Sequence, residues 1–187
     1  MMGASVTTMD LSPAQDWDIV PYNDSNYSDL LVQRKEHIRK LNNGFLFAYS
    51  KFNSKAKYIY GSIYDTSNIK DNFQIGTMNL VLTHLRDPFL GIHNLSKLIT
   101  DTIIITEVYS KFTHPLLRII EKVTNYRLMR FRPNASHRSP TETWWNITPN
   151  TMEEFLKIFG FNEIQRNSYP VNRGNAKSRL YTIVGKR

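Results

Sequence analysis

The run Thr102-Ile103-Ile104-Ile105-Thr106 is β-branched at every position, and such a run suits a strand buried on both faces. A strand of that kind needs helices above and below it, which points to an α/β architecture with a mostly parallel sheet. The rest of the chain supplies the alternation this requires. Ser5 to Met9 reads as a strand that stops at Asp10, Ala56 to Tyr60 as a second closed by Gly61, and Phe73 to Met78 as a third. Leu31, Ile38, Leu41, Phe45, Ala48 and Phe52 recur at helical spacing from about Ser28, with Asn42-Asn43-Gly44 as the place for a kink or break.

Asp87-Pro88 provides an N-cap and a preset first helical position, and Phe89, Ile92, Ser96 and Ile99 give the inward face of the helix that follows. Thr148-Pro149 opens another helix, with Met152, Phe155, Leu156 and Phe159 on one face and Gly160 to end it. Phe161 to Tyr169 and Arg179 to Val184 read as strands joined at Asn172-Arg173-Gly174-Asn175, an antiparallel pair at one edge of the sheet. Val108 to Ile147 has mixed character, with a helix expected around Pro115 to Val123. A long connection of this kind is often a lid or substrate-binding segment.

The 187 residues, 41% of them hydrophobic, suffice for one domain with a real core. There is no cysteine, so disulfides, thiolate metal sites and cysteine nucleophiles are excluded together. The start of the sequence lacks a secretory signal pattern, and the apolar runs fall far short of the ~20 residues that span a bilayer. A soluble, cytoplasmic protein is expected. Residues 1–117 carry 11 Lys and Arg against 11 Asp and Glu, whereas residues 118–187 carry 13 against 5. That asymmetry favours an anionic partner.

In open α/β sheets, ligands sit beyond the carboxyl ends of the strands. Here those positions hold Asp10, then Ser62 and Asp65, then Asn79 and Glu107, which together suggest one polar rim. A carboxylate where Asp10 stands can accept the hydroxyls of a ribose. Yet none of the eight glycines forms even a G-x-G pair, so the phosphate-type turn of a nucleotide site is absent. Trp144-Trp145, with Arg127, Arg130, Arg132 and Arg138 upstream, can stack a flat group and hold an anion. The five histidines show no metal-ligand spacing, and no metal is expected.

The chain resembles class I S-adenosylmethionine-dependent methyltransferases of the Rossmann-like type, read from the family's second strand to its seventh. The resemblance runs through Val6-Thr7-Thr8-Met9-Asp10-Leu11, Arg39 to Phe45, Tyr60-Gly61-Ser62-Ile63-Tyr64-Asp65, Val81 to Pro88, Thr106-Glu107 and Thr143-Trp144-Trp145-Asn146-Ile147-Thr148-Pro149. The closing hairpin matches the family's reversed seventh strand. A weaker similarity is to enzymes that modify the wobble uridine of tRNA. The resemblance implies an N-terminally truncated three-layer sandwich, lacking the first strand, glycine-rich loop and first helix. It implies S-adenosyl-L-methionine as cofactor, with Asp10 on the ribose, Ser62 and Ile63 flanking the adenine, and Asn79 facing the cofactor near the substrate. Ser62 stands where the family often has an acid.

Methyl transfer from a sulfonium needs proximity, alignment and, for some acceptors, a base. His84 and Glu107 are the candidates. Arg130, Arg132, Trp144 and Trp145 are expected to bind an anionic or aromatic acceptor, either RNA or a small molecule. The alternatives are an inactive methyltransferase-like remnant or a basic nucleic-acid-binding module. Unpaired strand edges beside the absent first strand are expected to favour self-association.

Overall fold

A computed structural model describes residues 3–15, 17–23, 26–109, 126–138, 143–173 and 176–187. The helix expected around Pro115 to Val123 and the turn residues Gly174 and Asn175 lie outside the described residues. The chain divides into two compact units, Met1–Trp17 with Pro21–Thr66, and Asp18–Val20 with Ser67–Arg187.

The first unit holds strand β1 (Thr7–Asp10), helix α1 (Ser28–Lys51) and strand β2 (Lys57–Tyr60). β1 and β2 pair in parallel, Thr7 opposite Lys57 and Asp10 opposite Tyr60. α1 runs through Asn42-Asn43-Gly44 without a break. The physical reason is the buried Asn42 side chain. Its Nδ2 donates to the Leu11 carbonyl at 3.3 Å, and its Oδ1 accepts from the Tyr58 hydroxyl at 2.9 Å. Tertiary partners thus hold a residue that would otherwise favour a cap or turn. The inward stripe is also narrower than its spacing suggested. Ile38 and Asn42 are buried and Phe45 stacks on Tyr58 at 4.6 Å, while Leu41 and Phe52 are exposed.

The second unit is built on β3 (Phe73–Asn79), β4 (Ile99–Val108), β7 (Glu163–Arg173) and β8 (Ala176–Lys186), in the order β3-β4-β8-β7. β3 and β4 are parallel, while β8 runs antiparallel to both β4 and β7. A short ribbon pairs β5 (Met129–Phe131) with β6 (Trp145–Ile147), also antiparallel. Parallel pairing among the described strands is therefore confined to β1 with β2 and β3 with β4, and the architecture is mixed α/β. Ile103 and Ile105 of β4 are fully buried and Ile104 half-buried, so the β-branched run does meet protein on both faces. Each such side chain contributes roughly 1.5–3 kcal/mol on burial. Gly76 of β3 permits a close approach, since a Cβ there would lie 2.4 Å from Cδ1 of Ile99.

Among the described residues, two helices pack on this sheet, α2 (Pro88–Leu98) and α3 (Pro149–Ile158). Both begin as the cap signals require. Asp87 Oδ1 accepts the Leu90 N–H at 2.9 Å, and Thr148 Oγ1 accepts the Thr151 N–H at 3.3 Å. Asp87→Ala is expected to lower stability by about 0.5–2 kcal/mol in a denaturation curve, with the sheet otherwise intact. Gly160 ends α3 at φ +85°, the left-handed conformation glycine adopts without penalty. Ile92, Ser96, Met152 and Leu156 face inward as their spacing indicated. Phe89 does not: it is 38% exposed and packs sideways on Phe155 and Phe159 of α3, with centroids 5.0 and 4.7 Å away. No helix among the described residues is long and apolar enough to cross a membrane.

Candidate functional site

In the first unit, the parallel pairing of β1 and β2 brings Asp10, Ser62 and Ile63 to one edge. The Gly61 N–H donates to the Asp10 carbonyl at 3.0 Å, which fixes the start of the 61–65 turn against the end of β1. Asp10 is exposed, and its Oδ1 accepts the Leu11 N–H at 2.7 Å. Ser62 and Ile63 are half-buried. Ser62 Oγ accepts the Tyr64 N–H at 3.3 Å, so its own O–H remains able to donate. Behind this edge, partial burial and then the Asp10 carboxylate push the Tyr58 hydroxyl up to about 12. Tyr58 therefore stays neutral and keeps donating to Asn42.

In the second unit, Asn79 ends β3 and is exposed. The next residue, Leu80, has φ +58° and donates its N–H to the Thr106 carbonyl at 2.8 Å. A branched, bulky side chain in the left-handed region is strained, and such strain concentrates at functional turns. The chain then enters a 3₁₀ turn, Leu82–His84, whose last residue is exposed. Glu107 lies beneath this turn. It is wholly buried within β4, so the expectation of a polar strand end on the rim is corrected. Its Oε1 accepts the Leu82 N–H at 2.7 Å, while Oε2 has no hydrogen-bond partner among the described residues. Burial pushes this carboxyl up to about 7, against the opposing pull of the Leu82 N–H.

The 82–86 segment also anchors the β5–β6 ribbon. The Trp144 N–H donates to the Thr83 carbonyl at 2.8 Å, and the Trp145 indole donates to the Arg86 carbonyl at 2.9 Å. The segment that carries His84 is thus hydrogen-bonded to both tryptophans and, through Leu82, to Glu107. The two tryptophans differ in environment. Trp144 is buried, and its indole donates to the Asp18 carbonyl at 2.7 Å; Trp145 is half-buried. Arg130 and Arg132 are exposed, and no described residue forms an ion pair with either. Side chains alternate across a ribbon, so Arg130, opposite Asn146, leaves it on the face away from Phe131 and its partner Trp145.

The cation over Trp144 is instead Arg86, which was not a candidate from the sequence. Its guanidinium carbon lies 5.2 Å from the Trp144 ring centroid. Phe131, also passed over, sits edge-on to Trp145 at 5.4 Å and 6.2 Å from Trp144. Asp18 completes the arrangement by accepting the Arg86 N–H at 2.7 Å.

The N-terminal domain of EvdMO1, solved in the presence of SAH and D-fucose, is similar over 100% of this chain and 67% of that one, with a TM-score of 0.51 and 13% identity. A candidate methyltransferase from Bacillus halodurans C-125 is similar over 98% of this chain and 83% of that one, with a TM-score of 0.54 and 10% identity. The chain has the class I methyltransferase fold. The methyltransferase fold accounts for the reversed β8 between β4 and β7, as the closing hairpin had suggested. The chain spans about two-thirds of the EvdMO1 domain, 67% of its length. No family model and no curated protein matches the sequence.

Proposed function

We propose that this protein transfers a methyl group from S-adenosylmethionine to an anionic or aromatic acceptor. The observation that carries the reading is the methyltransferase fold, with Asp10 at the carboxyl end of β1 and Ser62 just beyond β2 in the first unit, where ligands of such sheets bind. The donor set suits the cofactor. Asp10 is exposed, and its second carboxylate oxygen receives no hydrogen bond from a described residue, so it can accept from ribose hydroxyls. Ser62 has a free O–H for the adenine edge, and Ile63 beside it offers apolar cover. In the second unit, Asn79 stands at the end of β3.

S-adenosylmethionine, when bound, brings a methyl group already activated by its sulfonium. The chain's own residues then have to orient the acceptor and, where its nucleophile is protonated, remove that proton. His84 at the end of the turn is the group for that step, through an imidazole nitrogen. Trp145 and Arg132 belong to the segment proposed to meet the acceptor, whereas Arg130 leaves the ribbon on the face away from Trp145. The buried Glu107 supports a positioning role, holding the turn that carries His84.

The reading is tested by thermal denaturation with S-adenosylmethionine. Ligand at about 100 times Kd stabilises the native state by about 2.7 kcal/mol, a rise of roughly 5–10 °C for a chain of this size. Asp10→Ala removes a charge-assisted acceptor and is expected to weaken binding by about 10–100-fold. Because Asp10 is exposed, the same variant should melt normally without ligand. No rise at millimolar S-adenosylmethionine or S-adenosylhomocysteine would reject the proposal.

A further inference from the structure

We propose that Arg86, Phe131 and Trp145 form the acceptor platform and that it takes a small planar aromatic anion. This rests on the methyltransferase reading and deepens it. Phe131 is 54% exposed although it touches two indoles. The Trp145 indole is oriented by its N–H, which donates to the Arg86 carbonyl. The two rings therefore offer a fixed apolar surface suited to stacking a flat group.

The cation beside this surface is held in place but still available. Arg86 stacks on Trp144, and its contact with Asp18 is loose, Nε to Oδ1 at 4.0 Å. Its side chain is 59% exposed, and no described residue accepts a hydrogen bond from its guanidinium. A guanidinium with a free planar fork pairs with a carboxylate through two parallel hydrogen bonds. A flat ring carrying a carboxylate matches both parts. The platform is also attached directly to the His84 turn, through Trp144 to Thr83 and Trp145 to Arg86, so an acceptor held on it lies at the turn proposed to remove the proton.

A nucleic acid would need a track of unpaired cations along a backbone. Several described cations of the basic carboxyl half are already engaged. Arg127 pairs with Glu154 at 2.9 Å and Arg166 with Glu153 at 2.6 Å, while Arg187 lies over Phe161 and donates to the Ser96 carbonyl. Arg130 leaves the ribbon on the other face. Among the described residues, Arg86 is the cation stacked on a tryptophan of this cluster, which suits a small molecule.

The test measures binding of 4-hydroxybenzoate, its neutral analogue 4-hydroxybenzamide, and a single-stranded RNA oligonucleotide to the full chain by calorimetry, each with S-adenosylhomocysteine present. The acid is expected to bind at least tenfold more tightly than the amide. Arg86→Met, which keeps the stacking on Trp144, should erase that preference, and Phe131→Ala should weaken both ligands by about tenfold. Neither variant should alter the affinity for S-adenosylhomocysteine. Equal binding of acid and amide, or an unchanged preference in Arg86→Met, overturns the proposal. So does RNA that competes with the acid and whose affinity falls steeply with salt. If S-adenosylhomocysteine does not bind but the acid preference persists and depends on Arg86, the methyl-transfer reading fails and the platform stands.

Discussion

The stability gained by Glu107→Gln over the parent is expected to grow by about 2–3 kcal/mol between pH 5 and pH 8. The sign follows from the direction of the shift. Burial raises the folded carboxyl from 4.5 to about 7, so between those values the native state keeps a proton that the unfolded chain has released. The parent therefore loses stability as pH rises through this window and levels off above it. Glutamine is neutral at every pH and loses nothing, while its carbonyl can still accept the Leu82 N–H that Oε1 accepts at 2.7 Å. Melting curves of the two proteins should diverge by roughly 5–10 °C over this range. Glu107→Leu removes the acceptor altogether and should be about 1–3 kcal/mol less stable than Glu107→Gln at all pH values, since the Leu82 N–H stays buried. Parallel pH profiles for the parent and the Gln variant would show that Glu107 is charged in the native state.

The second large effect separates the two adjacent tryptophans. Trp144→Ala is expected to cost about 3–5 kcal/mol and to lower the melting temperature by roughly 10 °C. Four interactions converge on Trp144. Its backbone N–H reaches Thr83, its carbonyl accepts from Arg132 at 2.9 Å, its indole donates to Asp18 and its ring lies under Arg86. Trp145→Ala gives up one hydrogen bond and partial packing, about 1–2 kcal/mol. On the proposed reading it loses acceptor binding out of proportion to that change. Urea denaturation of both variants decides the matter, and equal losses would contradict the assignment of Trp144 to the core and Trp145 to the surface.

Local signals in the sequence located most elements, because strands and caps are specified by near neighbours. Thr102 to Thr106, the Asp87-Pro88 and Thr148-Pro149 starts and the closing hairpin all state their structure within a few residues. The resemblance and the reversed hairpin together led to the fold. What could not be read locally depended on distant partners. The continuity of α1 through Asn42 needs Leu11 and Tyr58, and the burial of Glu107 needs the Leu82 turn folding over it. Among the candidate residues, Asp10 and Asn79 are exposed at strand ends as expected, while His84 is exposed at the end of the 3₁₀ turn. Arg86 was hidden inside a cap signal, since its role depends on tryptophans 58 and 59 residues further on. Phe131 was hidden by Arg130 and Arg132 on either side, which drew attention to charge where the ribbon's other face presents an aromatic ring.

The position of β8 has a consequence for how the chain is made. It is the last of the described strands to leave the ribosome, yet it lies inside its sheet, between β4 and β7. Thr102 must wait for Lys186 and Val108 for Leu180 before their backbone bonds close. Until then both neighbours present open edges, and long-range antiparallel closure of this kind is slow. The nascent second unit therefore passes through a stage in which the Ile103 and Ile105 strand is synthesised but unprotected on one side. The residues of β8 decide whether that stage ends in folding or in association with another chain.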